Sequence, residues 1–179
     1  AASTIGAYFQ SLGLQPAFPS ASYTMRYATP AYGTTPASTA PNAGAVLEGS
    51  DPTLKSQYVV VIAHMDGKGV GTPVNGDSIY NGADDNASGT AAVLEMAEAL
   101  AGTDPHPRRS VLFLAVSGEE HGFWGTYAYL AAPTVPIANI VAVLNFDMIS
   151  RNSSDSIFGS GMDGSTLGDR LVEVVAAHP

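Results

Sequence analysis

Three apolar runs of this chain end in residues that can hold a cation or move a proton. Tyr58-Val59-Val60-Val61-Ile62-Ala63 leads into His64-Met65-Asp66, and Val111-Leu112-Phe113-Leu114-Ala115-Val116 leads into Ser117-Gly118-Glu119-Glu120-His121. Ile140-Val141-Ala142-Val143-Leu144 leads into Asn145-Phe146-Asp147. Runs of this kind read as strands buried on both faces of a parallel sheet, whose ligand crevice lies outside the carboxyl ends of the strands. Acids gathered at that edge repel one another unless a cation neutralises them, and a pair of zinc ions is the simplest candidate.

Each residue has a plainer meaning to set against this one. His64 and Asp66 are two apart, so on an extended backbone they point the same way. A metal-bound imidazole donates its other ring proton to a carboxylate, which makes Asp66 an orienting residue rather than a ligand. Alone, such a pair more often marks an exposed structural contact. In Gly82-Ala83-Asp84-Asp85-Asn86-Ala87-Ser88-Gly89 the acids precede a helix, where capping is an equally good role for Asp84. The same surroundings would keep Asp85 ionised and suit it to bridge two cations. Adjacent glutamates usually mean a solvated loop. After a buried strand, alternation sends Glu119 and Glu120 different ways, so one can bind metal while the other handles protons. Asp147 follows a buried run and must be paired, exposed at the sheet edge or bound to metal. His121 reads as a polar loop residue, His106 as a loop residue between prolines, and His178 as the end of a helix. No HEXXH helix, phosphate loop, GXSXG elbow or cysteine nucleophile is present.

These residues need elements to position them. Helical spacing predicts helices over residues 2–12, 90–100, 123–130 and 167–177, with Gly13 and Gly102 as stops. Residues 29–44 and 68–82 read as loops, 45–48 as a short strand and 157–159 as an edge strand. Strands alternating with helices predict a layered α/β fold, and 179 residues without an internal repeat predict one domain over 1–179. The formal charge of −9 argues against a nucleic-acid partner. With no cysteine, any metal must take nitrogen and oxygen ligands. No apolar run reaches the roughly 18 residues of a membrane span. Few Lys and Arg among many small residues suit a secreted or periplasmic protein.

AHMD, NGADDNASG, SGEEHGFWG and NFDM, in that order, resemble the clan MH zinc aminopeptidases. This family includes leucyl aminopeptidases and aminopeptidase-S-like enzymes, with glutamate carboxypeptidase and glutaminyl cyclase as relatives. The match runs over residues 49–149. The resemblance implies a three-layer α/β/α fold with a mostly parallel central sheet, the phosphorylase/hydrolase-like zinc-peptidase architecture. It also implies that His64 and Asp147 bind one zinc, Asp85 bridges, Glu120 binds the other, Glu119 is the general base and Asp66 orients His64. The Asp85–Asn86 peptide should be cis, and the substrate a peptide with a free N-terminus. One departure stands out. The family's second histidine ligand lies in a later loop, whereas the last histidine here, His178, falls on an expected helix. The second zinc would have only Asp85 and Glu120. The expectation is therefore a domain truncated at its C-terminal end that folds, binds the second zinc weakly and is poorly active alone. A non-catalytic relative, a glutaminyl cyclase-like enzyme and a carboxypeptidase are the alternatives.

Overall fold

The structure, a computed structural model, describes residues 1–153 and 156–178. It divides into two compact units, Ala1–Met148 and Ile149–Pro179. The first contains α1 (Ala2–Ser11), β1 (Gln15–Pro16), β2 (Thr24–Thr29), β3 (Ser38–Leu47), β4 (Tyr58–His64), β5 (Gly69–Val74) and β6 (Asp77–Tyr80). It continues with α2 (Gly89–Ala101), β7 (Ser110–Val116), α3 (Trp124–Ala131) and β8 (Ile140–Asn145). The second unit has a short 3-10 turn, Met162–Gly164, followed by α4 (Leu167–Ala177).

The main sheet is mixed. Its centre runs β3-β7-β4-β8, with β7, β4 and β8 parallel and β3 antiparallel to β7. β1 and β2 both pair antiparallel with β3 on its outer side. Every residue of β7 is buried, and alternation splits its side chains between two layers. Val111, Phe113 and Ala115 pack with α1 residues Ile5 and Phe9 and α2 residues Val93 and Ala97. Leu112, Leu114 and Val116 pack on the other face with Tyr129 of α3 and with Phe18. This is the expected α/β/α layering. Truncating Phe113 to Ala would cost about 3–5 kcal/mol and truncating Leu112 about 2–5 kcal/mol, since neither has any exposure.

Four expectations change. The stretch 29–44 is loop only until β3 begins at Ser38, because its Thr, Ala and Pro residues pair in register with β2. Residues 68–82 contain the β5–β6 hairpin, turned by Asn75 and Gly76, both at positive φ as a tight hairpin turn needs. β8 is a sheet edge, so Val141 and Val143 are about half exposed instead of buried. Residues 157–159 form no strand. Helix α4 falls where its spacing predicts, with Leu171, Val174 and Val175 exposed. Among the described residues, no helix is long and apolar enough to cross a membrane.

Candidate metal centre

The parallel strands β7, β4 and β8 deliver their carboxyl ends to one edge, and the candidate residues meet there. His64 is the last residue of β4 and is 3% exposed. Thr90 Oγ1, in the first turn of α2, donates to the His64 carbonyl at 2.9 Å and fixes the backbone at that point. His64 Nε2 lies 3.2 Å from Asp85 Oδ1, 3.6 Å from Asp147 Oδ1 and 3.9 Å from Glu119 Oε2. Its Nδ1 lies 3.5 Å from Asp66 Oδ1. None of these contacts is aligned as a hydrogen bond, so both ring nitrogens are buried without one.

A buried imidazole normally finds a partner. Here His64, Asp85 and Asp147 each offer one atom, and the three atoms lie within 4.8 Å of one another. One nitrogen and two carboxylate oxygens are a suitable donor set for a divalent transition ion. The residues fit a metal.

The electrostatics agree. Burial opposes an imidazolium at His64, but Asp66 first, then Asp147 and Glu119, outweigh it and raise its pKa to about 9. Burial likewise pushes Asp66 up, yet the His64 contact and the Glu119 N–H bring it below the ordinary carboxylate value. Burial, then repulsion from Asp85, raises Glu120, while Lys68 acts in the opposite sense. A site that draws a proton onto its imidazole draws a metal by the same charges.

The second position is less complete. Glu120 Oε1 is buried without a hydrogen bond, and Glu120 Oε2 lies 4.0 Å from Lys68 Nζ. Lys68 Nζ also donates to Asp85 Oδ2 at 3.2 Å. Glu119 and Glu120 do diverge, but not by strand alternation. β7 stops at Val116, and Gly118 at φ +73° turns the chain before the glutamates.

The loop carrying Asp85 is not the acidic helix cap considered for Asp84. Helix α2 starts only at Gly89, and Asp85 and Asn86 depart from helical dihedrals. The Asp85–Asn86 peptide is cis.

Sequence reasoning missed several supports. Asn86, 1% exposed, donates from Nδ2 to the Phe146 carbonyl at 2.9 Å, and its Oδ1 accepts from Gly89 N–H at 2.8 Å and Met148 N–H at 3.3 Å. Asn42 on β3 bonds Ser117 N–H and the Gly125 carbonyl, and Tyr27 on β2 donates to the Ser117 carbonyl at 2.7 Å. Each sits among polar or turn residues, Asn86 beside two aspartates and Tyr27 beside an arginine, so nothing in the local sequence sets it apart. The partners are too distant in sequence to be read from it. His121 is not a free loop residue: its ring packs edge-on against Tyr32 and tilted against Trp124.

Residues 42–178 match the model of peptidase family M28. The chain is 36% identical over 101 residues to a "Probable zinc metalloprotease" of Pyrenophora tritici-repentis, covering 56% of this chain and 20% of that protein. It is 36% identical over 96 residues to the "Probable lipoprotein aminopeptidase LpqL" of Mycobacterium tuberculosis, covering 53% of this chain and 17% of that one. A leucine aminopeptidase precursor from Bacteroides thetaiotaomicron shares the fold at TM-score 0.64 and 15% identity, over 87% of this chain and 55% of that one. The chain thus spans about a fifth of the length of these curated relatives and about half of the solved structure.

Proposed function

The chain belongs to peptidase family M28, and from that premise we propose that it is a zinc-dependent exopeptidase removing N-terminal residues from peptides. The observation that carries this reading is the buried His64 imidazole. Neither ring nitrogen has a hydrogen bond, and one faces Asp85, Asp147 and Glu119 together. The names of the zinc metalloprotease and aminopeptidase relatives support the metal and the reaction class.

In this proposal His64, Asp85 and Asp147 hold one zinc, and Asp85 with Glu120 contributes to a second. Bound zinc would supply Lewis acidity, polarising the scissile carbonyl and acidifying a water toward a pKa of about 7. Glu119, whose Oε2 lies 3.9 Å from His64 Nε2, would serve as the base that accepts a proton from the attacking water and returns it to the leaving amine, without acting as a ligand itself. Asp66 acts through its neighbours. It faces His64 Nδ1 and accepts from the Glu119 N–H at 3.4 Å, setting the orientation of ligand and base together. The density of carboxylates also suits a substrate that arrives with a free α-ammonium, which favours an aminopeptidase. Export from the cytoplasm is part of the proposal, supported by the composition alone.

The test is release of a fluorophore from a leucine amide, with zinc, with chelator, and against the N-acetylated substrate. The proposal expects zinc-dependent turnover that acetylation abolishes. Cleavage indifferent to chelation would overturn the metal, and cleavage indifferent to acetylation would overturn the aminopeptidase.

A further inference from the structure

Lys68 is the residue of the site that the proposed chemistry leaves without a task. The chain has only two lysines, and this one reaches between the two carboxylates assigned to the second metal. Its Nζ is 3.2 Å from Asp85 Oδ2 and 4.0 Å from Glu120 Oε2. Asp85 uses its other oxygen, Oδ1, toward His64 Nε2. Asp85 is therefore shared between two positions, with the imidazole on one side and an ammonium on the other. Glu120 turns its Oε2 toward the same ammonium and leaves its Oε1 buried without a hydrogen-bond partner.

We propose that the Lys68 ammonium occupies the second cation position, so that this chain loads its metals in sequence, the first tightly and the second only by displacing Lys68. The inference rests on the metal-centre reading above and specifies how that centre fills.

Three observations separate this from an ordinary surface ion pair, which contributes little. The acceptors are two carboxylates from separate segments, one following Gly82 and one following β7, which an exposed lysine would not need to bridge. Both are largely buried, at 25% and 11% side-chain exposure. The lysine side chain is 54% exposed and starts one residue before the β5–β6 hairpin, so it can leave for solvent without disturbing the core. A single positive charge offsets only one of two carboxylates, whereas a divalent ion offsets both, so a cation at sufficient concentration wins the place.

The experiment is equilibrium dialysis of this chain against buffered free zinc, reading zinc per chain by elemental analysis, for the native sequence, Lys68→Met and Lys68→Arg. The native chain should hold one zinc over a wide range of free zinc and gain the second at a concentration at least tenfold higher. Lys68→Met should bring the second midpoint down at least tenfold, and Lys68→Arg, which keeps the charge, should not. Circular dichroism checks that the variants are folded. If Lys68→Met shifts nothing, or if the native chain takes up both ions at one midpoint, the inference fails while the metal centre stands. If no variant holds even one ion, the metal centre itself fails and the inference with it.

Discussion

Asn86 reaches across 60 residues of sequence to donate its Nδ2 hydrogen to the Phe146 carbonyl at 2.9 Å. That bond joins the loop carrying Asp85 to the strand end carrying Asp147, the two acids that meet at His64 Nε2. The amide oxygen takes two further N–H groups, so one buried side chain holds three backbone groups in register. Phe146 N–H in turn donates to the Ile62 carbonyl of β4 at 2.9 Å, which ties the same strand end to the strand that carries His64.

Asn86→Ala leaves these three backbone groups without their partner. The expected loss is about 2–4 kcal/mol of stability, since each buried unsatisfied group costs about 1–3 kcal/mol and some will find water. Zinc affinity should fall about 10–100-fold, as when other supports of metal ligands are removed. Urea unfolding and zinc titration measure the two effects. An Asn86→Ala protein with native zinc affinity would show that the clamp does not position the ligands.

Gly89 meets the same clamp from the helix side. Its dihedrals are ordinary helix, so only space forbids a side chain there. A Cβ would lie 2.3 Å from the Phe146 carbonyl oxygen and 2.4 Å from Asn86 Oδ1. Gly89→Ala should cost more than about 2 kcal/mol, in the range of an overpacked core. Gly102→Ala, where the nearest atom is 3.6 Å away, should be near neutral or stabilising. Thermal melts of the two variants side by side make the comparison, and equal melting temperatures would remove the steric argument.

The parts legible in the sequence are those that depend on local pattern. The β4 and β7 runs read as strands because Val59–Ala63 and Val111–Val116 are short, unbroken apolar runs rich in Val, Ile and Leu, and α2 reads as a helix because its apolar residues recur at helical spacing. The convergence of His64 and Asp147 follows from parallel strand ends sharing an edge, and Asp85 joins them from the loop that leads into α2. What was missed depends on neighbours. An apolar run cannot say whether its strand is central or at an edge, and β8 proved to be an edge with Val141 and Val143 exposed. The Ser, Thr, Ala and Pro of β3 look like loop until β2 and β7 pair with them. The Asn75-Gly76 turn was readable, but the surrounding glycines masked the hairpin it closes.

The pKa of His64 makes stability depend on pH. The imidazole titrates near 9 in the folded chain against 6.5 ordinarily. A group raised on folding contributes stability that is complete below about pH 6.5 and is lost as pH climbs through about 9. The shift corresponds to roughly 3 kcal/mol at most. In chelator, the melting temperature should fall across that window. With zinc it should hold, because the ion takes the place of the proton and needs the neutral ring. Asp66→Asn, which removes the foremost support of the imidazolium, should flatten the decline in chelator. A decline as steep as that of the native chain would place the proton elsewhere.

Glu119→Gln separates proton transfer from metal binding. The change is nearly isosteric and leaves His64, Asp85, Asp147 and Glu120 in place. Turnover of the leucine amide should drop about 10²–10⁴-fold, the usual contribution of a positioned base. Zinc per chain should be unchanged by elemental analysis. A variant that keeps full activity transfers the base role to another group, and one that loses its zinc makes Glu119 a ligand.

Tyr27 extends the support of the site to β2, on the far side of β3. Its hydroxyl donates to the Ser117 carbonyl at 2.7 Å and lies 3.0 Å from Ser117 Oγ, two residues before Glu119. A Cβ at Gly118 would meet that same hydroxyl at 2.9 Å, so Tyr27 also bounds the turn that aims the glutamates. Tyr27→Phe removes the hydrogen bond and leaves the ring. Stability should fall by about 1 kcal/mol, the net value of one such bond. The functional effect should be selective. A looser turn misplaces the Glu119 carboxylate more than it weakens substrate contact elsewhere, so kcat should fall several-fold with KM little changed. Steady-state kinetics on the leucine amide read the split, and a rise in KM at constant kcat would instead place Tyr27 in substrate binding.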